Sequence, residues 1–449
     1  MKKYLLIVIV WTGLSCNCLA QSNVLTLREC IELGIKNNLS LQATGQEIIK
    51  ANIGKSDSRM RLLPVIQGYG NFTNNVEPGT SVSDGSGIGA LLGIDMPYMA
   101  SKGLRYTTSG GIQFSMPLYD HTLYSGIAIA DKMKEISGYS YEKAKEDLMV
   151  EIGKLYFLGQ TTAEQIDLIK ENISRLEGLK QITIAFYDNN MALDIDVKRV
   201  NINLENLRVQ LDNSLAMYEQ QLNLLRYILD LPPERVFDLE PTRENMDEAH
   251  HLYTGLSPKP YELKLLDAQQ ELVLKQRKAI NRGYIPTLSL VGQISYTNYT
   301  DHFGNYFKSH PSNKWYNNTY WGLSLRIPIF DGLSKNNKVR QANTDYRKLQ
   351  FMREDTEQRL QTQYTNGIND WENQSRNLRK QNDNYQLAEE VYAVTMERYR
   401  EGMVSMTEVL QDELRINEAQ SNYISALYNC LIVELNLLKL TGQLDRLVR

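Results

Sequence analysis

Three features carry residue types that do chemistry in other proteins: a glycine cluster, Gly85-Ser86-Gly87-Ile88-Gly89, a histidine pair, His250-His251, and the cysteines Cys30 and Cys430. A glycine cluster cradles phosphate when it follows a strand and opens a helix, because backbone N–H groups then converge on the anion. Here it lies in a long polar stretch with no helix expected after it, and it reads as a flexible loop. A metal site needs more convergent ligands than two adjacent histidines, so His250-His251 reads as a surface loop. Two cysteines in an exported chain can pair. Both fall in helical patterns at opposite ends of the chain, where small buried apolar side chains are the simpler reading. Carboxylates are plentiful but lie on helix faces, where solvated charge is the ordinary role. No zinc spacing, nucleophile elbow or phosphate loop stands in a suitable context, which argues against an enzyme.

The elements that would position these residues begin with an export signal. Lys2 and Lys3 precede a short apolar run, Leu5 to Trp11, and Cys18-Leu19-Ala20 suits cleavage before Gln21. Residues 1–20 are therefore expected to be a signal peptide. Acylation at Cys16 is the alternative, but Gly13 stands where a lipobox carries leucine. Cleavage removes Cys16 and Cys18 and leaves Cys30 and Cys430. The chain has 449 residues and a net charge of -4, and no basic excess points to nucleic acid. No further run approaches the apolar length of a membrane helix. A chain of this kind crosses a membrane only as a β-barrel, since lipid leaves no other way to pair every backbone group.

All 12 prolines fall within 64–117 and 232–328. The stretches between and after them are free to be helix. The sequence also repeats. Met116-Pro117-Leu118-Tyr119-Asp120 recurs as Ile327-Pro328-Ile329-Phe330-Asp331, and Leu229-Asp230-Leu231 aligns with Leu440-Thr441-Gly442. The expected plan is a first repeat at 21–231, a linker at 232–260 and a second repeat at 261–449. Each repeat reads as helix, two strands, a very long helix, a turn and a helix. Strands are expected at about 64–76, 104–118, 286–300 and 319–330. Leu288, Leu290, Ile294 and Tyr296 oppose Ser289, Gln293, Ser295 and Thr297. Trp321, Leu323, Leu325 and Ile327 oppose Tyr320, Ser324 and Arg326. Such alternation suits a membrane strand with lipid on one side and water on the other. A soluble sheet with one wet face gives the same pattern. The loops at 77–103 and 301–317 are rich in Gly, Ser, Asn and Tyr and read as exposed.

Long helices are expected at 121–187 and 333–399, each about 100 Å long at 1.5 Å per residue, followed by helices at 192–230 and 405–440. The latter carry heptad steps. One seam runs Leu193, Val197, Val200, Leu204, Leu207, Leu211, Ser214, Tyr218, Gln221, Leu225 and Ile228. The other includes Leu410, Leu414, Asn417, Ser421, Ile424, Leu431, Leu435 and Leu438. The fold class is mainly α with a membrane β-barrel part.

Several segments, in order, resemble the TolC-like outer-membrane efflux family. They are Leu25-Thr26-Leu27-Arg28-Glu29-Cys30 with Asn37-Asn38-Leu39, Gly283-Tyr284-Ile285-Pro286-Thr287, Leu323-Ser324-Leu325-Arg326-Ile327-Pro328, and Glu397-Arg398-Tyr399-Arg400-Glu401-Gly402 leading into Glu408. The resemblance implies a homotrimer in which four strands per protomer build a 12-stranded barrel, continued by a long antiparallel coiled-coil helical barrel across the periplasm. It implies an outer-membrane channel of a tripartite efflux or type I secretion system, set in outer-membrane lipid. The partners it implies are a periplasmic adaptor (membrane fusion) protein and an inner-membrane transporter. No cofactor is implied. The segment 232–260 would join an equatorial belt. The adaptor-contacting tips would be Tyr187 and Asn190 in the first repeat and Arg398, Tyr399 and Gly402 in the second. A periplasmic gate would involve Glu408, with Asp412 and Asp196 as further acids. The competing reading is a soluble periplasmic coiled-coil scaffold.

Overall fold

The structure is a computed structural model that describes residues 24–241, 260–307 and 313–448. The signal peptide, its cleavage site, most of the 232–260 linker and His250-His251 lie outside the described residues. The elements run β1 (Val24–Leu25), α1 (Leu27–Asn37), α2 (Leu39–Met60), β2 (Val65–Asn74), β3 (Thr80–Asp84), α3 (Ser86–Leu92), β4 (Tyr98–Lys102), β5 (Tyr106–Tyr119), α4 (His121–Asp188) and α5 (Asp194–Ile228). They continue with β6 (Asp238–Leu239), α6 (Tyr261–Arg282), β7 (Thr287–Thr300), β8 (Trp315–Arg326), α7 (Ser334–Arg400) and α8 (Met406–Thr441).

The chain divides into two units. One combines Gln46–Tyr139 with Leu265–Glu354 and holds the sheet β2-β5-β7-β8, antiparallel throughout. One strand pair comes from each repeat, joined at the β5–β7 seam. Among the described residues, β2 and β8 each keep one edge without a partner. Along β7 the apolar side of the sheet is the exposed one, and β8 is exposed on both faces. Ile294 and Tyr296 are exposed while Ser295 between them is buried, and Trp321 is 77% exposed with Leu323 and Leu325 beside it. This matches the expected alternation and suits a strand whose apolar side meets lipid. The seam is tight. Gly292 lies opposite Phe114, whose ring occupies the space a side chain on Gly292 would need. A bulge follows Pro117, which has no N–H to give the ladder. At the far end of the strands Phe72, Tyr106, Phe303 and Tyr306 pack ring to ring at 5.9–6.3 Å.

The repeated Asp of the two aligned motifs has a local job. Asp120 accepts from the Thr122 N–H at 2.8 Å and Asp331 from the Lys335 N–H at 3.1 Å, so each carboxylate satisfies an orphan donor where a long helix starts. A capping box starts α1: Glu29 N–H donates to Thr26 Oγ1 and Thr26 N–H donates to Glu29 Oε2.

The loop at 77–103 departs from expectation. β3 and β4 form a hairpin and α3 stands at its end, with Gly85 as N-cap. The glycine cluster therefore does follow a strand and open a helix. The glycines are there for close packing, since a side chain on Gly85 or Gly89 would strike the backbone carbonyls of Met96 and Ile94.

The other unit takes the chain through Gly45, Ser140–Lys264 and Asp355 onward. It has two cores. One gathers Ile31, Ile152, Tyr156, Leu225, Leu229, Phe237 and Leu435. The other gathers Leu176, Leu179, Val200, Leu204, Tyr392, Tyr399, Val409 and Ile416. In α5 the expected seam is buried at Val200, Leu204, Leu207, Ser214, Gln221, Leu225 and Ile228, while Leu193 is exposed outside the helix. In α8 the expected seam is buried at Leu410, Ile424, Leu431, Leu435 and Leu438, and near the N-terminus a second row one residue earlier is buried beside it. Val409, Glu413, Ile416 and Gln420 are buried, and Leu414 is exposed. α8 also contains a stretch apolar enough by length and composition to cross a bilayer, but half of that stretch is buried inside the protein. Its leucines serve the core. Cys30 and Cys430 are both buried and free. Burial pushes the Cys30 thiol up to about 12, with Glu29 adding to the effect, and that of Cys430 to about 11. Neither is a reactive thiolate at neutral pH.

Candidate functional site

The two helical turns that end α4 and α7 are built alike. After α4, the Asn190 N–H donates to the Tyr187 carbonyl at 2.9 Å and the Met191 N–H to the Phe186 carbonyl at 2.7 Å. After α7, the Gly402 N–H donates to Tyr399 at 2.9 Å and the Met403 N–H to Arg398 at 2.8 Å. Asn190 and Gly402 have φ of 60° and 73°. This is the Schellman turn, which needs a left-handed residue at its corner. Asn tolerates that conformation through its short polar side chain and Gly through having none. Gly402→Ala is expected to destabilise the protein by about 1 kcal/mol, and Asn190→Gly to be near neutral, in thermal melts of each variant.

The helices that leave these turns, α5 and α8, end in the same kind of turn. Asp230 and Gly442 have φ of 51° and 69°. These two residues correspond structurally, so the repeat alignment at this point shifts by one from the match of Leu229-Asp230-Leu231 to Leu440-Thr441-Gly442.

Tyr187, Asn190, Arg398 and Gly402 are exposed. Tyr399 is not. It is buried, with its ring 5.5 Å from that of Phe186. Its phenol is raised by burial, against a hydrogen bond with Thr183 that pulls it down. Tyr399 holds the turn together from inside and presents no surface of its own.

The three acids differ as well. Asp196 accepts from the Leu193 N–H at 3.3 Å and pairs with Arg199 at 3.2 Å, which stabilises the start of α5. The same Arg199 reaches the Thr407 hydroxyl at 3.5 Å, so the first turns of α5 and α8 stand side by side. Glu408 is exposed in the first turn of α8, beyond the N-cap Ser405. Asp412 lies in a different setting. It is buried, accepting from the Thr395 hydroxyl at 2.7 Å and from Arg415 at 2.8 Å. Within the protomer it ties α8 to α7 and does not face open solvent.

Next to Asp412 on α8 begins a polar cluster centred on Glu413, an acid not named from the sequence. Glu413 is 2% exposed. Arg175 from α4 stands 3.8 Å from its carboxylate and 3.9 Å from Glu389 of α7, and lies over the Tyr392 ring at 5.8 Å. Arg175 also donates to Asn172, which donates in turn to Asn417 and, at 2.7 Å, to Gln420. Burial pushes the Glu413 carboxyl up to about 7, although Arg175 and then Tyr392 pull it down. The signal for Glu413 was present in the chain: it stands four residues after Val409 and three before Ile416, on their face of the helix.

Residues 262–443 match the family described as outer membrane efflux protein. TolC of Salmonella enteritidis is 23% identical over 282 residues, 57% of this chain and 54% of that protein, so the alignment spans about half of that relative's length. TolC of Escherichia coli K12 is 22% identical over 390 residues, 79% of this chain and 74% of that one. Among solved structures, the outer membrane protein VceC of Vibrio cholerae superposes with a TM-score of 0.71 at 13% identity, covering 93% of this chain and 96% of VceC. At that identity the likeness is one of fold. Over residues 262–443 this chain is therefore similar to the outer membrane efflux proteins, along most of its length it is distantly similar to TolC, and it shares the fold of VceC.

Proposed function

We propose that the protein is the outer-membrane channel of a tripartite efflux or type I secretion system. In this reading it conducts substrates passively, as a homotrimer and not as an enzyme, from an inner-membrane transporter across periplasm and outer membrane. The observation that carries this is the four-stranded sheet with apolar residues on its outer face and two open edges. Open edges are not viable in lipid. Three copies pairing β2 to β8 give a closed barrel of twelve strands. The helices support the same assembly. Ile195, Ile202 and Val209 form an exposed apolar stripe at seven-residue steps on α5, and Leu387, Val391 and Val394 form another on α7. Each stripe suits the flank of a neighbouring copy.

In the assembled channel Glu408 supplies an acidic ring at the narrow end, with Asp196 behind it held by Arg199. A ring of carboxylates on a narrow axis favours cations. Asp412 fixes α8 in place and does not line the opening. The exposed tip residues Tyr187, Asn190, Arg398 and Gly402 form the adaptor contact, shaped from within by Tyr399.

The test is to express the full-length chain in a Gram-negative host, fractionate the envelope and measure the mass of the detergent-extracted protein. A trimer in the outer-membrane fraction supports the channel. A monomer or dimer released without detergent sinks it and leaves a periplasmic scaffold. The double variant Ile202→Glu/Val209→Glu is expected to lower trimer recovery about tenfold or more, because each buried apolar contact at the stripe becomes a buried charge.

A further inference from the structure

We propose that Glu413 and Arg175 form a proton-operated clamp that holds α8 against α4 and α7 in each protomer and releases it when Glu413 loses its proton. This deepens the channel reading and rests on it for its consequence, since α8 carries Glu408.

The geometry is that of a charge pair buried without being satisfied. Both Glu413 carboxylate oxygens, the Arg175 Nε and the Tyr392 hydroxyl are buried without a hydrogen bond of good geometry, the Tyr392 hydroxyl interacting only weakly with the carboxylate. A carboxylate 3.8 Å from its charged partner, with only a weak contact to a phenol besides, is poorly compensated in a dry interface. A neutral carboxylic acid in the same place costs far less.

The charged and titratable groups facing this point come from three helices. α4 supplies Arg175. α7 supplies Glu389, which accepts from the Tyr385 hydroxyl at 2.9 Å, and Tyr392. α8 supplies Asp412, committed to Thr395 and Arg415. α5 contributes Val200, Leu204 and Leu207 to the adjoining core, all apolar. Burial pushes the Glu413 carboxyl up to about 7.

The direction follows from that. A glutamate ordinarily titrates at 4.5, and a released, hydrated Glu413 returns to that value. A carboxyl raised in the closed form favours the closed form in acid. The effect is complete below about 4.5, is lost as pH rises, and is gone above about 7. Across that window the closed-to-released ratio falls by up to about tenfold per pH unit in each protomer. Release separates α8 from α4 and α7 next to the end that carries Glu408, which widens the conduit there.

The test uses full-length protein extracted in detergent and the same protein reconstituted in planar bilayers, between pH 4.5 and 8. Glu413→Gln keeps the shape and removes the titration. The wild-type melting temperature should fall relative to that of Glu413→Gln as pH rises through the window, and wild-type conductance should rise while the variant stays at its acid value. Glu389→Gln should keep the wild-type profile. Arg175→Met removes the charge that pulls Glu413 down, so its profile should extend to higher pH, and this variant serves if Glu413→Gln does not fold. A Glu413→Gln profile that follows the wild type in both readouts overturns the clamp and leaves the channel intact. A melting difference of the expected sign without conductance at any pH sinks the channel and leaves the clamp.

Discussion

Gly111→Val will prevent the β5–β7 seam from closing, and outer-membrane trimer will be lost. Gly111 lies opposite Ser295 in the antiparallel ladder. A Cβ built on Gly111 would stand 2.3 Å from the Ile294 carbonyl oxygen and 2.7 Å from the Ser295 Cα. Both are backbone atoms, and they cannot move away without opening the ladder that joins the strand pairs of the two repeats. Overpacking costs about 1–3 kcal/mol where side chains can yield, and here they cannot, so the effect belongs at or beyond the upper end. Gly70 is the control. It lies in β2 of the same sheet, and a Cβ there meets nothing within 4 Å. Gly70→Ala should assemble like wild type. The measurement is the amount of detergent-resistant trimer in the outer-membrane fraction. Wild-type levels for Gly111→Val would show that the seam is looser than described.

A comparable effect is expected in the helical unit at Leu435. This side chain is 1% exposed, and its Cδ2 lies 2.8 Å from where a Cβ on Gly153 of α4 would stand. Leu437, two residues on, meets Gly367 of α7 in the same way at 2.9 Å. α8 is therefore wedged between glycines on both long helices, which lets the backbones approach closely. Leu435→Ala removes a buried side chain from a site that cannot collapse on the glycine side, with an expected loss of about 3 kcal/mol. Gly153→Ala alone should also destabilise, because Leu435 must shift to admit the methyl group. In the double variant the new methyl fills part of the space left by the leucine. The combined loss should be smaller than the two single losses added together, by about 1 kcal/mol. Thermal melts of the three variants in one detergent give the comparison. Strict additivity would mean that the two residues are not in contact.

Much of the architecture was legible because its signals are local. Proline-free stretches leave room for long helices, and the structure has helices at His121–Asp188 and Ser334–Arg400. Period-two alternation at 287–297 and 319–327 marked strands whose outward side is apolar, and Ile294, Tyr296, Trp321 and Leu323 are indeed exposed. The left-handed turn residue Gly402 was readable from its type and position, and Asn190 from its place in the repeat.

What the chain alone did not decide is which polar groups go inside. Heptad steps put the α8 seam through Leu414 and Ser421. The protein buries Glu413 and Gln420 instead, since Arg175 and Asn172 arrive from a helix far away in sequence to meet them. Asp412, a further gate acid in the family resemblance, is buried against Thr395 of the preceding helix. The glycines at 85–89 looked like slack, and only the returning strand β4 and its approach revealed them as close-packing positions. Periodicity and turn chemistry are properties of neighbours along the chain, so sequence determines them. The burial of a charge depends on a partner supplied through space, and only the tertiary structure decides that.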